Sequence, residues 1–163
     1  MWKQEKLLAQ IEEIRPIKDL CVISGGLAWH FMSPAHVESK YVHDHKDVDI
    51  FVFPDKFQEA VGIMKSRGFN RYWTKYDGIT PNFYRYGKTQ KYDSKRVKIL
   101  VDIFLEKVPY IEIDGFKIVE PKHLLTYYKT VHTSGGCIAV REARILVARG
   151  INPVGREELI KAE

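Results

Sequence analysis

Two stretches of this chain spell the same four residues, Val48-Asp49-Ile50-Phe51 and Val101-Asp102-Ile103-Phe104. Each sets one aspartate inside an apolar, β-branched and aromatic run of the kind that forms buried strands. A carboxylate there is costly unless something compensates its charge. The first run has a second acid two positions earlier, Asp47. Side chains two apart on a strand point the same way, so Asp47 and Asp49 share a face with Phe51 and Phe53. Val48, Ile50 and Val52 take the other face. Asp102 shares its face with Leu100 and Phe104. If the two strands are neighbours, three carboxylates converge within a few ångströms. Like charges that close repel, and divalent cations remove the conflict. Mg2+ takes few protein carboxylates and draws its remaining ligands from water and phosphate oxygens. The competing account has Asp47 capping a loop, Asp49 paired with a Lys or Arg, and Asp102 on a strand edge. It suffices for one acid but explains three matched ones poorly.

The rest of the chain reads as one domain over 1–163, with a core near 18–130 and helices over about 121–163. At 163 residues, 45% hydrophobic and 29% charged, it can bury a core of its own. No window has the run of roughly 20 apolar residues a membrane span needs. The start, Met1 to Lys6, reads as amphipathic helix rather than a signal peptide, which places the protein in the cytoplasm with no membrane partner. Cys21 and Cys137 lie far apart in apolar contexts and read as reduced thiols. The net charge of +5 and pI of about 9.1 are a modest excess, suited to a partner bearing phosphates.

Leu7, Leu8, Ile11 and Ile14 recur at helical spacing over 3–15, and Pro16 ends that pattern. Leu20 to Ile23 is a short buried strand. Ser24-Gly25-Gly26 breaks it, and a helix starts at Leu27. Residues 33–46 form a polar loop. A strand over 48–53 closes at Pro54, and Asp55 is placed to cap a helix over 56–67, which Gly68 ends. Strands follow near 70–76, 82–86 and 97–105. Asp114-Gly115 between two apolar runs predicts a hairpin with a type I′ turn. After Pro121 helices are expected over about 121–132 and 137–149, with a short terminal one from Asn152. The order predicts an α+β fold, a small mixed β-sheet with flanking helices.

Glycines let backbone approach a phosphate, and a following helix start supplies free N–H groups. A tight strand-to-helix turn explains Gly25-Gly26 as well. Taken together, Gly25-Gly26, then Asp47-Val48-Asp49, then Asp102 resemble the nucleotidyltransferase-fold superfamily, whose pattern is polymerase-beta-like. Gly-Gly-Leu-Ala at 25–28 and Lys-Asp-Val-Asp-Ile at 46–50 are similar to its small single-domain bacterial and archaeal branch, some members of which occur in toxin–antitoxin systems. The resemblance implies a metal-dependent transfer of a nucleoside monophosphate from a nucleoside triphosphate to an acceptor hydroxyl, with release of pyrophosphate. It implies Mg2+ or Mn2+ held by Asp47, Asp49 and Asp102. Asp102 would also help deprotonate the acceptor. Ser24, Gly25, Gly26 and Lys46 would contact the triphosphate, as would Lys129 from a late helix. The acceptor, whether RNA, protein or small molecule, is left open. The chain departs from the pattern in its long gap between Gly26 and Asp47, in lacking a Gly-Ser version of the turn, and in carrying His43-Asp44-His45-Lys46 where the small branch often has Arg and Thr.

Two further functions stand beside this one. A non-catalytic nucleotide-binding or toxin–antitoxin module would keep the fold without turnover. A metal-dependent phosphodiesterase would use the same acids, though a Gly-Gly turn favours a triphosphate. His43 and His45 read as a polar loop above the site rather than a Zn2+ or Mn2+ pair. In 69–98, Tyr72, Trp73, Tyr76, Phe83, Tyr84, Tyr86 and Tyr92 interleave with Arg71, Lys75, Arg85, Lys88, Lys91, Lys95 and Arg96. Such mixing suits base stacking and phosphate contact. It equally suits a twisted sheet whose aromatics fill the core while its cations face water, which is the reading adopted. His132, Arg141, Arg144 and Arg149 fit a solvated helix face as well as a phosphate site.

Overall fold

A computed structural model of the chain describes residues 3–31, 47–92, 94–120 and 123. The expected late helices, the 33–46 loop with His43, His45 and Lys46, and Cys137, Lys129, His132, Arg141, Arg144 and Arg149 lie outside these residues.

Helix α1 spans Lys3–Ile14 and runs into a 3-10 turn, Arg15–Ile17, that accommodates Pro16 at its start. Leu7 and Ile14 are buried as the spacing requires, Ile11 partly so, while Leu8 faces water. Strand β1 (Cys21–Ser24) is buried throughout and leads directly into α2 (Gly25–Phe31). The glycines therefore open the helix rather than precede it. Strand β2 (Val48–Val52) is followed by a 3-10 turn at Pro54–Lys56 and by α3 (Phe57–Ser66). Asp55 sits inside that turn, and no side chain caps α3, so the expected cap is not formed. Gly68, just past the end of α3, has a positive φ of 92°.

Strands β3 (Asn70–Tyr72), β4 (Phe83–Tyr92), β5 (Lys95–Leu105), β6 (Tyr110–Ile113) and β7 (Phe116–Val119) complete one seven-stranded mixed sheet in the order β3-β4-β5-β2-β1-β7-β6. The turn between β6 and β7 has positive φ at both Asp114 (53°) and Gly115 (81°), as type I′ demands. Strands β4 and β5 form one hairpin paired from Phe83↔Phe104 to Tyr92↔Lys95; β4 runs well past the strand expected over 82–86, and β5 starts two residues before the one expected over 97–105.

One side of this sheet packs on α1 and α3. Val97, Ile99, Val101, Ile103 and Tyr86 point into that core, Phe57 of α3 stacks on Tyr84 at 4.8 Å, and Lys88 reaches Glu13 of α1 at 2.7 Å. Both members of that ion pair are withdrawn from water, so each stabilises the other's burial. Cys21 is buried and free of any disulfide. Burial pushes its thiol up to about 12, which keeps it unreactive. No helix of the described residues is long and apolar enough to cross a membrane.

Candidate functional site

The repeated tetrapeptide pairs with its own copy. Strands β2 and β5 are parallel neighbours, in register Val48↔Val101, Asp49↔Asp102, Ile50↔Ile103 and Phe51↔Phe104. Equal register in adjacent strands puts the two aspartates on one face and the isoleucines on the other. The valines and isoleucines are all fully buried, which locks that register against a one-residue slip. Phe51 and Phe104 stack at 5.8 Å on the acid side. Asp47, just before β2, joins them, and a carboxylate oxygen from each of Asp47, Asp49 and Asp102 lies within 4.8 Å of the others.

Three carboxylates this close are in conflict, and the protein answers with Arg85. It stands opposite Asp102 in the β4–β5 register. Its Nε donates to Asp102 Oδ1 at 2.5 Å and its Nη2 to Asp102 Oδ2 at 2.8 Å, the two-pronged geometry that suits a guanidinium. The same Nη2 donates to Asp47 Oδ2 at 3.0 Å. These bonds, Asp102's foremost, hold the guanidinium still more firmly protonated than usual. Among the described residues Asp49 has no such partner. Desolvation, then repulsion from Asp47 and Asp102, pushes its carboxyl well above the ordinary carboxylate range, with Arg85 opposing.

The glycine turn is built around this acid. Ser24, buried on β1, pairs with Asp49 across the β1–β2 ladder. Gly25 has φ +59°, and the space a Cβ would need is filled by Asp49, whose Cγ and Cβ would stand 3.0 and 3.1 Å away. The first demand for glycine at this position is thus the Asp49 side chain itself. Gly26 is half-buried in the first turn of α2.

Of the expected site residues, Ser24, Gly25, Gly26, Asp47, Asp49 and Asp102 fall together around the junction of β1, β2 and β5, while Lys46 and Lys129 lie outside the described residues. Arg85 was present in the sequence only as one cation in an aromatic and basic segment. Its role was findable in principle. Pairing Tyr92 with Lys95 aligns positions whose numbers sum to 187, and that sum puts 85 opposite 102. The rest of the segment divides by exposure. Phe83 and Tyr86 are buried, Trp73 and Tyr76 are exposed, and Arg71 stacks between Trp73 and Tyr84 while bonding Asp77.

The donor set fits a divalent cation. All ligands are hard oxygens, and their three negative charges are offset only in part by one cation, Arg85, which bridges two of them. Arg85 already neutralises part of the charge that would draw an ion. Arg85→Gln should therefore raise affinity for Mn2+ alone by about tenfold, the equivalent of one close charge contact of ~1.4 kcal/mol. Calorimetric titration of the two proteins without nucleotide checks this.

No protein-family model matches the chain, and no curated protein is similar to it in sequence. Solved structures from Helicobacter pylori share its fold. JHP933 from Helicobacter pylori superposes with a TM-score of 0.59 at 15% identity, covering 87% of this chain and 63% of its own. A protein from H. pylori assigned as a nucleotidyltransferase gives 0.59 at 15% identity, covering 87% and 65%. The Megavirus polyadenylate synthase gives 0.44 at 14% identity, covering 91% and 34%. The chain spans less than two thirds of the length of each of these structures. The fold is α+β and nucleotidyltransferase-like.

Proposed function

We propose that the protein is a metal-dependent nucleotidyltransferase: a single-domain cytoplasmic enzyme of the small bacterial and archaeal type that moves a nucleoside monophosphate from a nucleoside triphosphate to an acceptor hydroxyl. One observation carries this reading. Asp49 and Asp102 pair in register on adjacent parallel strands, and Asp47 closes a set of carboxylate oxygens within 4.8 Å, next to a strand–glycine–helix turn. That combination on this fold supports triphosphate chemistry better than either feature alone.

Asp47, Asp49 and Asp102 would hold Mg2+ or Mn2+, which supplies charge stabilisation at the α-phosphoryl group. The acceptor oxygen bonds to the α-phosphorus as the bond to pyrophosphate breaks. Asp102, oriented by its two bonds from Arg85, helps to take the hydroxyl proton. Ser24, Gly25 and Gly26, with Lys46 and Lys129, contact the triphosphate. Arg85 released from Asp47 is free to meet the phosphate charge that replaces it.

The test is to incubate the protein with each α-labelled nucleoside triphosphate, Mg2+ or Mn2+, and an extract of total RNA and protein. Label should enter one pool with stoichiometric pyrophosphate. Triphosphate binding without pyrophosphate release would instead make the chain a non-catalytic module. RNA hydrolysis in the absence of any triphosphate would make it a phosphodiesterase.

A further inference from the structure

The long hairpin of β4 and β5 has two unlike sides. On the core side stand Val97, Ile99, Val101 and Tyr86, all buried, and Lys88, whose charge is already taken by Glu13 at 2.7 Å. Strand alternation puts Thr89 and Lys91 of β4, and Arg96 and Lys98 of β5, on the other side. That is the side of Arg85 and Asp102. The register makes the relation strict: Lys91↔Arg96, Thr89↔Lys98, Gly87↔Leu100, Arg85↔Asp102. All three of these cations are exposed, and no carboxylate of the described residues forms an ion pair with them.

Between the cations and the acids lies an aromatic floor. Tyr72 of β3 lies across Gly87, where a Cβ would come within 2.9 Å of its ring and 2.7 Å of Leu100. The ammonium of Lys98 stands 4.8 Å from the centre of the same ring. At about 3.3 Å per residue, Lys98 is ~13 Å and Arg96 ~20 Å along the strand from Asp102. Cations spaced along the hairpin, beside an aromatic ring and leading to a carboxylate cluster, match a chain of phosphates better than a compact anion.

We infer that this side of the β4–β5 hairpin is the docking track for a single-stranded RNA acceptor, whose end it delivers to Asp102. The inference rests on the nucleotidyl-transfer reading and names its acceptor. An RNA end offers the hydroxyl that reaction needs, on the same strand as the phosphates the track would hold. An acidic protein segment would meet the same cations, but it carries no bases to lie on the Tyr72 floor.

The experiment measures binding of a 5′-labelled single-stranded RNA of about 12 nucleotides to the full chain by fluorescence anisotropy across a salt series, without triphosphate. Replacing Lys91, Arg96 and Lys98 together with Gln should weaken binding about ten- to thirtyfold and flatten the log–log salt slope by about 2, since each phosphate contact on a single strand contributes about 0.7. Replacing exposed Lys56, Lys65 and Lys107 with Gln removes the same charge elsewhere and should leave binding within about twofold. Equal losses in both triple variants, or none in the first, overturn the inference. So does equal binding of a polyglutamate peptide, lost in the same variant, which would point to a protein acceptor. Binding of triphosphate with Mn2+ is measured in parallel: its absence sinks the transfer reading while leaving the RNA track to stand or fall on its own data.

Discussion

Asp49→Asn and Asp102→Asn should each lower nucleotidyl transfer by at least about a thousandfold, a loss of ~4 kcal/mol of transition-state stabilisation. The two variants should part company in stability, because the structure gives these acids opposite neighbours. Asp102 is nine-tenths buried and accepts two bonds from Arg85. Its replacement by Asn leaves the guanidinium short of its charged partner and should cost about 2 kcal/mol. Asp49 has its carboxyl raised by burial and by its two acidic neighbours. In the unfolded chain that carboxyl titrates in its ordinary range. Between the ordinary range and the raised folded value, the native state binds more protons, so wild-type stability declines as pH rises through that window. Asp49→Asn should remove this decline, and the metal-free variant should melt above wild type at neutral and alkaline pH. Adding Mn2+ at about a hundred times its dissociation constant should reverse the order. Wild type gains about 2.7 kcal/mol from the ion, and the variant little. Melting curves with and without Mn2+, beside pyrophosphate release, decide the matter. Wild-type transfer by either variant excludes that residue from the reaction, and an unchanged melting profile for Asp49→Asn excludes the strained carboxyl.

What the sequence disclosed and what it hid follow from how far each signal travels along the chain. Val-Asp-Ile-Phe at 48–51 and 101–104 carries its strand signal within five residues, and Asp114-Gly115 carries its turn within two. Both expectations agree with the structure. Pro16 marked the end of α1 for the same local reason. The β4–β5 hairpin was foreshortened because its outer half, Lys88 to Arg96, reads as polar loop. Only one of its sides meets the core, and Val97 and Ile99 are too few to show period-two alternation alone. Without those residues the sequence does not show the pairing of Tyr92 with Lys95, nor the register that sets Arg85 against Asp102. The cation that settles the acid cluster therefore stands out only once the hairpin register is known, whereas each acid of the cluster is legible on its own strand. The cap expected at Asp55 failed because Pro54 favours a 3-10 turn first, which moves the α-helical start to Phe57. The sequence alone leaves Gly25 open between a tight turn and a phosphate contact, and only the family resemblance places it at a phosphate. That a carboxylate fills its missing side chain is a tertiary fact that no window of sequence holds.

That fact makes Gly25→Ala the substitution with the largest expected structural cost. Alanine at φ +59° carries about 1–2 kcal/mol of backbone strain. Its methyl would also collide with the Asp49 carboxylate. This carboxylate is attached to a strand buried on both sides, so it has little room to yield. Overpacking of that kind adds about 1–3 kcal/mol. The sum, about 2–5 kcal/mol, should lower the melting temperature by roughly 5–15 °C for a domain of this size. Gly62→Ala is the matched control. Gly62 lies inside α3 with nothing within 4 Å of the new methyl, and there alanine should raise stability by about 0.5–1 kcal/mol. The collision reports on function as well as on folding. If the methyl turns Asp49 away from Asp47 and Asp102, the folded fraction of Gly25→Ala should lose its stabilisation by Mn2+ along with transfer. If Gly25 served only to let a phosphate approach, the variant would keep full Mn2+ stabilisation and lose triphosphate affinity alone. Melting curves of both variants with Mn2+, with triphosphate and with neither separate the two roles. Retention of wild-type stability by Gly25→Ala would show that Asp49 does not occupy the place on which the acid cluster depends.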